Sequence, residues 1–464
     1  MWWKINIFLI AALFLIIGCG MTNISPVILT VNPDSRYQTI EGWGANLEAP
    51  GIPVDEWLKE PTPENYDKLD VKDSVPDELK AKIMDNTVSE LGLNRFRLEI
   101  GPQVEMRNDN DDPLKTDFKA FRFKWQDANI GKWLLPIKQR IERRGEKMVL
   151  YISYDLDSSL TPEWLLQPDE YAEMAVTTLK YFKETYNMEP DYWTVLNEPG
   201  NQRPGNPKLV AQLIARTGTR IREEGFKTRM SGPEVVTPRQ ITDYMKALND
   251  TPGALAQIGQ LTYHLYWDPM NIIHRNEIRN WGQKLGITTA QTEWLGGKGL
   301  NVAEVLYLDL VEANTSSWEQ YGLCWTANRY NTAGGGDYFV LEPDYSAYYM
   351  NINAWYLRQF MKYIRPGDVR ISISSTDPKI KPVAFTKPDG RQTVVVINSS
   401  RDAKDINIKD LSPGSYEVIL TDSRNKGEVL PQKVVAASES LTFQMPARSV
   451  VTFYDTGGRA PKLQ

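Results

Sequence analysis

Between residues 39 and 363, short apolar runs alternate with longer stretches of helical period. The apolar runs mark strand candidates at Thr39–Ala45, Leu93–Ile100, Lys147–Ser153, Tyr192–Asn197, Arg229–Pro233, Leu261–Tyr266, Thr288–Glu293 and Gly322–Ala327. Between them lie amphipathic segments. One puts Tyr171, Ala175, Leu179, Phe182 and Tyr186 on a single helical face, and another does so with Val210, Leu213, Thr217 and Ile221. Strands that alternate with helices predict parallel βα units, and eight of them close into a (β/α)8 TIM barrel. An open doubly wound sheet is the competing topology. No glycine-rich phosphate loop follows the first strand to support it.

The period changes after Arg365-Pro366-Gly367. Short β-rich runs follow at Val369–Ser374, Val383–Thr386, Thr393–Asn398, Ser415–Thr421, Val434–Ala437, Ser440–Gln444 and Val450–Tyr454. Turn residues such as Pro388-Asp389-Gly390 and Pro413-Gly414 separate them, so residues 367–457 are expected to form an antiparallel β-sandwich. The barrel is expected within residues 27–365, although the isolated strand Val27–Val31 can instead pair into the sandwich. The fold class is thus α/β, a TIM barrel with a C-terminal antiparallel β-sandwich. No long low-complexity linker separates the two parts, and they are expected to pack together.

Residues 1–19 have a different character. Lys4 precedes the nearly continuous apolar run Ile5–Ile17, which ends in Gly18-Cys19. That order describes a bacterial export signal, and the cysteine placement predicts a lipoprotein, cut before Cys19 and acylated on its thiol. The run falls short of the roughly 20 apolar residues that span a bilayer. The expected location is therefore a membrane reached through the lipid anchor, on the periplasmic side or at the cell surface. A net charge of −6 gives no basis for nucleic-acid binding. With Cys19 acylated, Cys324 has no partner for a disulfide, and His264 and His274 with one thiol cannot make a His/Cys zinc site. No metal or cofactor is expected, and a monomer is.

Residues at the C-terminal ends of barrel strands face the active site. Two candidate strands end on glutamate: the fourth runs into Asn197-Glu198-Pro199, and the seventh ends Thr292-Glu293-Trp294. A carboxylate closing an apolar strand costs desolvation, which a structural role rarely justifies without a partner. One such glutamate could simply meet an arginine at the barrel mouth; two on these strands point to acid–base chemistry. The combination resembles clan A of the glycoside hydrolases, and within it family 30. The stretches that carry the resemblance are Gln38-Thr39-Ile40-Glu41-Gly42-Trp43-Gly44, Leu91-Gly92-Leu93-Asn94-Arg95-Phe96-Arg97, Thr161-Pro162-Glu163-Trp164, and Tyr348-Tyr349 through Ile364-Arg365-Pro366-Gly367.

The resemblance implies a retaining mechanism with two carboxylates about 5–5.5 Å apart. Glu198 would be the general acid and then base, and Glu293 the nucleophile. Asn197 matches the residue that binds the sugar 2-hydroxyl, Arg97 the arginine ending strand two, and Tyr266 a tyrosine that bonds the nucleophile. His264 lies two residues before Tyr266 on the same strand face. Trp325 matches the tryptophan that floors the sugar subsite. Trp164 and Trp43 are candidates to line the cleft or to pack. The sequence departs from the family at Gly44-Ala45-Asn46-Leu47-Glu48, where Glu48 could meet sugar hydroxyls or solvent. The implied substrate is a β-linked oligosaccharide or polysaccharide, with β-glucosides, β-1,6-glucans, β-galactans, fucosides and xylans all open. Another clan A family, or a surface glycan-binding protein without catalysis, remains the alternative.

Overall fold

The chain enters its structure with β1 (Val27–Thr39) and turns at once into the first barrel strand, β2 (Gly42–Asn46). The computed structural model describes residues 25–47, 62–68, 74–155, 162–201, 205–326 and 336–457; Cys19 and Glu48 lie outside them. The barrel continues with β3 (Arg95–Ile100), β4 (Val149–Tyr154), β5 (Tyr192–Thr194), β6 (Arg229–Val235), β7 (Ile258–His264), β8 (Thr288–Glu293) and β9 (Thr315–Thr326). Neighbours pair in parallel, and β9 closes the ring on β2, with Trp43 opposite Trp318 and Gly44 opposite Glu319. Two further strands, β10 (Asp337–Leu341) and β11 (Tyr348–Met350), extend the sheet beyond β9.

Helices cover the outside of the barrel, as their apolar stripes require. The helix Pro168–Tyr186 starts on a proline with Asp169 and Glu170 in its first turn, and stops at Asn187 in the left-handed region (φ 50°). It buries Tyr171, Ala175, Leu179 and Phe182. In Pro207–Glu223 the Asn206 side chain accepts from the Leu209 N–H at 3.0 Å, and Val210, Leu213, Thr217 and Ile221 face inward.

Inside the barrel the lower layer is charged. Arg95 donates to Glu319 and, at 2.7 Å, to Gln260, and its guanidinium lies over the rings of Tyr151 and Tyr192. Burial raises the Glu319 carboxyl against the pull of Arg95, up to about 7. This pairing explains where the eighth barrel strand begins. The polar run Thr315–Gln320 is strand, with Glu319 inside the barrel because Arg95 is there to pair with it, so the strand starts well before Gly322.

The second domain consists of β12 (Val369–Ser375), β13 (Ile380–Thr386), β14 (Gln392–Asn398), β15 (Lys404–Lys409), β16 (Gly414–Thr421), β17 (Lys426–Val435), β18 (Leu441–Met445) and β19 (Ser449–Asp455). With β1 they make nine strands in the order β17-β16-β19-β14-β13-β12-β1-β15-β18. All pairs are antiparallel except β1 with β15. One set of side chains, including Leu29, Val394, Val396 and Phe453, forms the sandwich's own core. The alternate set, including Val383, Phe385, Val395, Ile397 and Val450, belongs to the barrel's core. Gln359, on the helix Ile352–Met361, crosses the seam: its side-chain amide donates to Thr421 Oγ1 at 2.7 Å, and its backbone carbonyl accepts from Thr452 Oγ1 at 2.7 Å.

Candidate active site

The ends of five barrel strands converge on one group of charged side chains. Arg97, fully buried on β3, donates to Glu293 Oε2 and, through Nη2, to Asn197 Oδ1 at 2.7 Å and Ser153 Oγ at 3.2 Å. Tyr266 donates to the other Glu293 oxygen at 2.7 Å. Both oxygens of Glu293 are therefore held, which fixes the carboxylate plane. Burial and the Glu293 charge both push the Tyr266 phenol upward, so it stays a donor. Arg97 stays a cation because Glu293 and its acidic neighbours outweigh the cost of burial.

Glu198 is placed differently. β5 stops at Thr194, and the chain bends so that the Asn197 N–H donates to the Tyr154 carbonyl at 2.7 Å. Glu198 then takes a left-handed conformation (φ 45°), a strained state for a residue with a side chain. Its Oε1 meets His264 Nδ1 at 2.9 Å, and its Oε2 accepts from Asn201 at 3.0 Å. One oxygen of Glu198, a ring nitrogen of His264 and one oxygen of Glu293 all lie within 4.8 Å of one another. An approach within 4.8 Å is shorter than the roughly 6.5–9.5 Å between carboxyl groups that leaves room for a water between them.

His264 is buried among carboxylates. Burial alone would push its imidazole down, but the Glu293 charge and the bonds to Glu198 and Glu234 outweigh it and raise it to about 9. It is therefore a cation at neutral pH. The trio Glu198, His264 and Glu293 is spaced to hold a metal ion, yet its chemistry disfavours one. The imidazole already carries a proton, and Arg97 and Tyr266 occupy both Glu293 oxygens as donors.

The two glutamates open onto a cavity of about 340 Å³, walled by Asn201, Val236, Tyr266, Trp267, Leu295 and Tyr321. Trp267 is 71 % exposed and also has left-handed backbone (φ 67°), which turns its indole toward solvent at the cavity rim. The aromatic surface of this cavity comes from Tyr266, Trp267 and Tyr321; of the two tryptophans that could either line the cleft or pack, Trp43 packs. Trp43 is buried behind the barrel wall and donates to the Ile364 carbonyl at 2.6 Å. Along β2 it is Gly42, Gly44 and Asn46 that alternate inward, so Trp43 packs outward and does not line the cleft. Trp164 sits in a short 3-10 turn, partly buried against the barrel core. Trp325 lies half-buried further along β9, opposite Val340 on β10.

Asn201, Glu234, Trp267 and Tyr321 escape the sequence reading. Glu234 carries the signal that marked the other two glutamates, a strand ending in a carboxylate. Pro233 halts the strand pattern one residue short of it. Tyr321 falls one residue before the expected start of its strand.

Comparison with known proteins accords with this geometry. Residues 367–453 match the family model described as the glycosyl hydrolase family 30 beta sandwich domain. The catalytic domain of a GH30 xylanase C from Talaromyces cellulolyticus superposes with a TM-score of 0.68 at 18% identity, covering 92% of this chain and 100% of that one. A GH30 subfamily 8 xylanase from Clostridium acetobutylicum gives 0.65 at 15% identity, with 92% and 98% covered. An endo-β-1,6-glucanase gives 0.64 at 18% identity, with 93% and 94% covered. The chain carries the family 30 sandwich and shares the two-domain fold of these enzymes.

Proposed function

We propose that this chain is a retaining glycoside hydrolase acting on β-linked glycans or β-glycosides, with Glu293 as nucleophile and Glu198 as general acid and base. The observation that carries the assignment is the unequal setting of two carboxylates whose oxygens approach within 4.8 Å. Glu293 is clamped by Arg97 and Tyr266, whereas Glu198 faces the cavity beside Asn201.

In the first step a Glu293 oxygen attacks the anomeric carbon while the glycosidic C–O bond breaks. The Glu198 proton passes to the leaving oxygen. In the second, water gives a proton to the Glu198 carboxylate as its oxygen attacks the same carbon, and the bond to Glu293 breaks. Net configuration is retained. Arg97 binds Asn197 Oδ1, and the amide nitrogen gives one hydrogen to Asp155 Oδ1 at 3.4 Å, which leaves its second hydrogen to donate to the sugar 2-hydroxyl.

Azide rescue tests the two roles separately. Glu293→Ala should abolish turnover on every substrate, since no glycosyl-enzyme forms. Glu198→Ala should still consume activated aryl glycosides, accumulate the covalent intermediate, and give a glycosyl azide of retained configuration when azide is added. Rescue of Glu293→Ala should give the inverted azide instead. Exchanged stereochemistry would reverse the assignment. Glycan binding by the wild type with no product from a panel of β-linked polysaccharides and aryl glycosides would favour the binding-protein alternative.

A further inference from the structure

Glu234 is a third carboxylate in this cluster and has no part in the two chemical steps. It is fully buried at the end of β6, in a left-handed conformation (φ 55°) that costs energy for any residue with a side chain. One of its oxygens faces two cations: His264 Nε2 at 3.4 Å and Arg97 Nε at 3.7 Å. The far side of the same imidazole meets Glu198 Oε1 at 2.9 Å. Glu234, His264 and Glu198 thus form a line running from the barrel interior to the cavity.

We propose that Glu234 is a positioning residue for the general acid, acting through His264 to fix which oxygen of Glu198 carries the transferable proton. This rests on the functional reading above. The argument is an account of hydrogens. An imidazole that keeps hydrogens on both nitrogens can only donate. Its Nε2–H is directed at Glu234 and its Nδ1–H at Glu198 Oε1, so Oε1 must accept. A protonated Glu198 then holds its hydrogen on Oε2, beside Asn201 at the cavity. Without the Glu234 charge, the neutral imidazole can leave Nδ1 bare. The Glu198 hydrogen then moves to Oε1 and bonds back to Nδ1, facing the wall and away from the leaving group.

The groups that face His264 are Glu198 after β5, Glu234 on β6, Tyr266 after β7 and Glu293 on β8. Those acting on Glu234 are His264, Arg97 on β3 and the Thr194 hydroxyl on β5. Burial would raise the Glu234 carboxyl, but these three together hold it below its usual range, so the charge the line needs is in place.

The chain has only two histidines, so nitrogen-15 NMR of the imidazoles reads the line directly, with His274 as the internal control and His274→Gln to assign it. In the wild type His264 should stay doubly protonated past neutrality, with a midpoint near the value of about 9. In Glu234→Gln the midpoint should fall by roughly one pH unit or more, the scale of losing one adjacent charge, while His274 does not move. Kinetics should split accordingly. Glycosides with poor leaving groups should lose about 10-fold or more in kcat/KM, and activated aryl glycosides should be nearly unchanged.

An unchanged His264 midpoint in folded Glu234→Gln overturns the inference. So does a shifted midpoint with equal losses on both substrate types. Should Glu234→Gln fail to fold, Glu234→Asp draws the charge back from Nε2 on a shorter arm, and equal losses on poor and activated leaving groups in that variant would overturn the inference. If the wild type hydrolyses no glycoside, the functional reading fails, while the NMR comparison still decides whether Glu234 controls the imidazole.

Discussion

Replacing Glu105 by glutamine should stabilise the protein at neutral pH and do little at pH 5. Glu105 pairs with Phe121 in a loop that follows β3, and is 2 % exposed. Its Oε1 accepts from the Asp109 N–H at 3.3 Å, and its Oε2 is buried without a partner. Burial, followed by the charges of Asp109, Glu173 and Glu170, pushes its carboxyl from 4.5 up to about 9. The folded protein therefore keeps this proton between those values, while the unfolded chain releases it. Folding takes up a proton across that window, so stability is full below pH 4.5 and declines as pH rises toward 9. At about 1.4 kcal/mol per pH unit, the loss between pH 5 and pH 7 is on the order of 3 kcal/mol. Glutamine keeps the shape and the acceptor for Asp109 but has no proton to lose. Urea midpoints of wild type and Glu105→Gln should coincide at pH 5 and separate progressively to pH 8, the variant being more stable. Parallel curves across this range would refute the reasoning. Restoration of the wild type at pH 8 by millimolar calcium would also refute it, because a cation and not a proton would then balance these carboxylates.

Further outcomes follow from the site and the domain seam. Trp267→Ala, which removes the exposed indole at the cavity rim, should raise KM for an oligosaccharide about 10-fold or more with kcat little changed; a fall confined to kcat would contradict a stacking role. Deleting residues from 367 onward should leave the barrel insoluble, because Val383, Phe385 and Val450 complete its core; sedimentation of a soluble, active truncation would count against this. Cys19→Ser should abolish incorporation of labelled fatty acid and move the protein to soluble fractions, whereas equal labelling of both forms would disprove the lipid anchor.

The parts of the fold legible in the sequence are those whose polarity follows burial. Strands such as Val149–Tyr154, with apolar residues toward the helices, stand out, as do helices with one apolar face. Thr315–Gln320 is hidden because its burial is polar: Glu319 has no visible reason to be inside until Arg95 is seen beside it. Lys404–Lys409 is hidden as a strand because its charged positions outnumber Ile406 and Ile408. Within the site, Glu198 and Glu293 are legible as carboxylates at the ends of barrel strands, while Asn201 owes its place to a turn that no periodicity records. Trp43 shows the sharpness of the two-residue period, since a neighbour one position away would have faced the barrel interior.

β1 has a consequence for how the molecule comes into being. It lies inside the nine-stranded sheet between β12 and β15, yet the whole barrel separates it in sequence from both: it ends at Thr39, and they begin at Val369 and Lys404. During synthesis it is the first described strand made, and among the last to find its partners. Closing so long a loop costs little more in entropy than closing a shorter one, since the cost grows only with the logarithm of length. The search is nonetheless slow, because rates fall as contacts become distant in sequence. Until β12 and β15 emerge, β1 is an unpaired strand with both edges open, the kind of segment that captures another chain. A nascent molecule of this protein is therefore most vulnerable to aggregation in the interval after its barrel is complete and before β12 and β15 have been made.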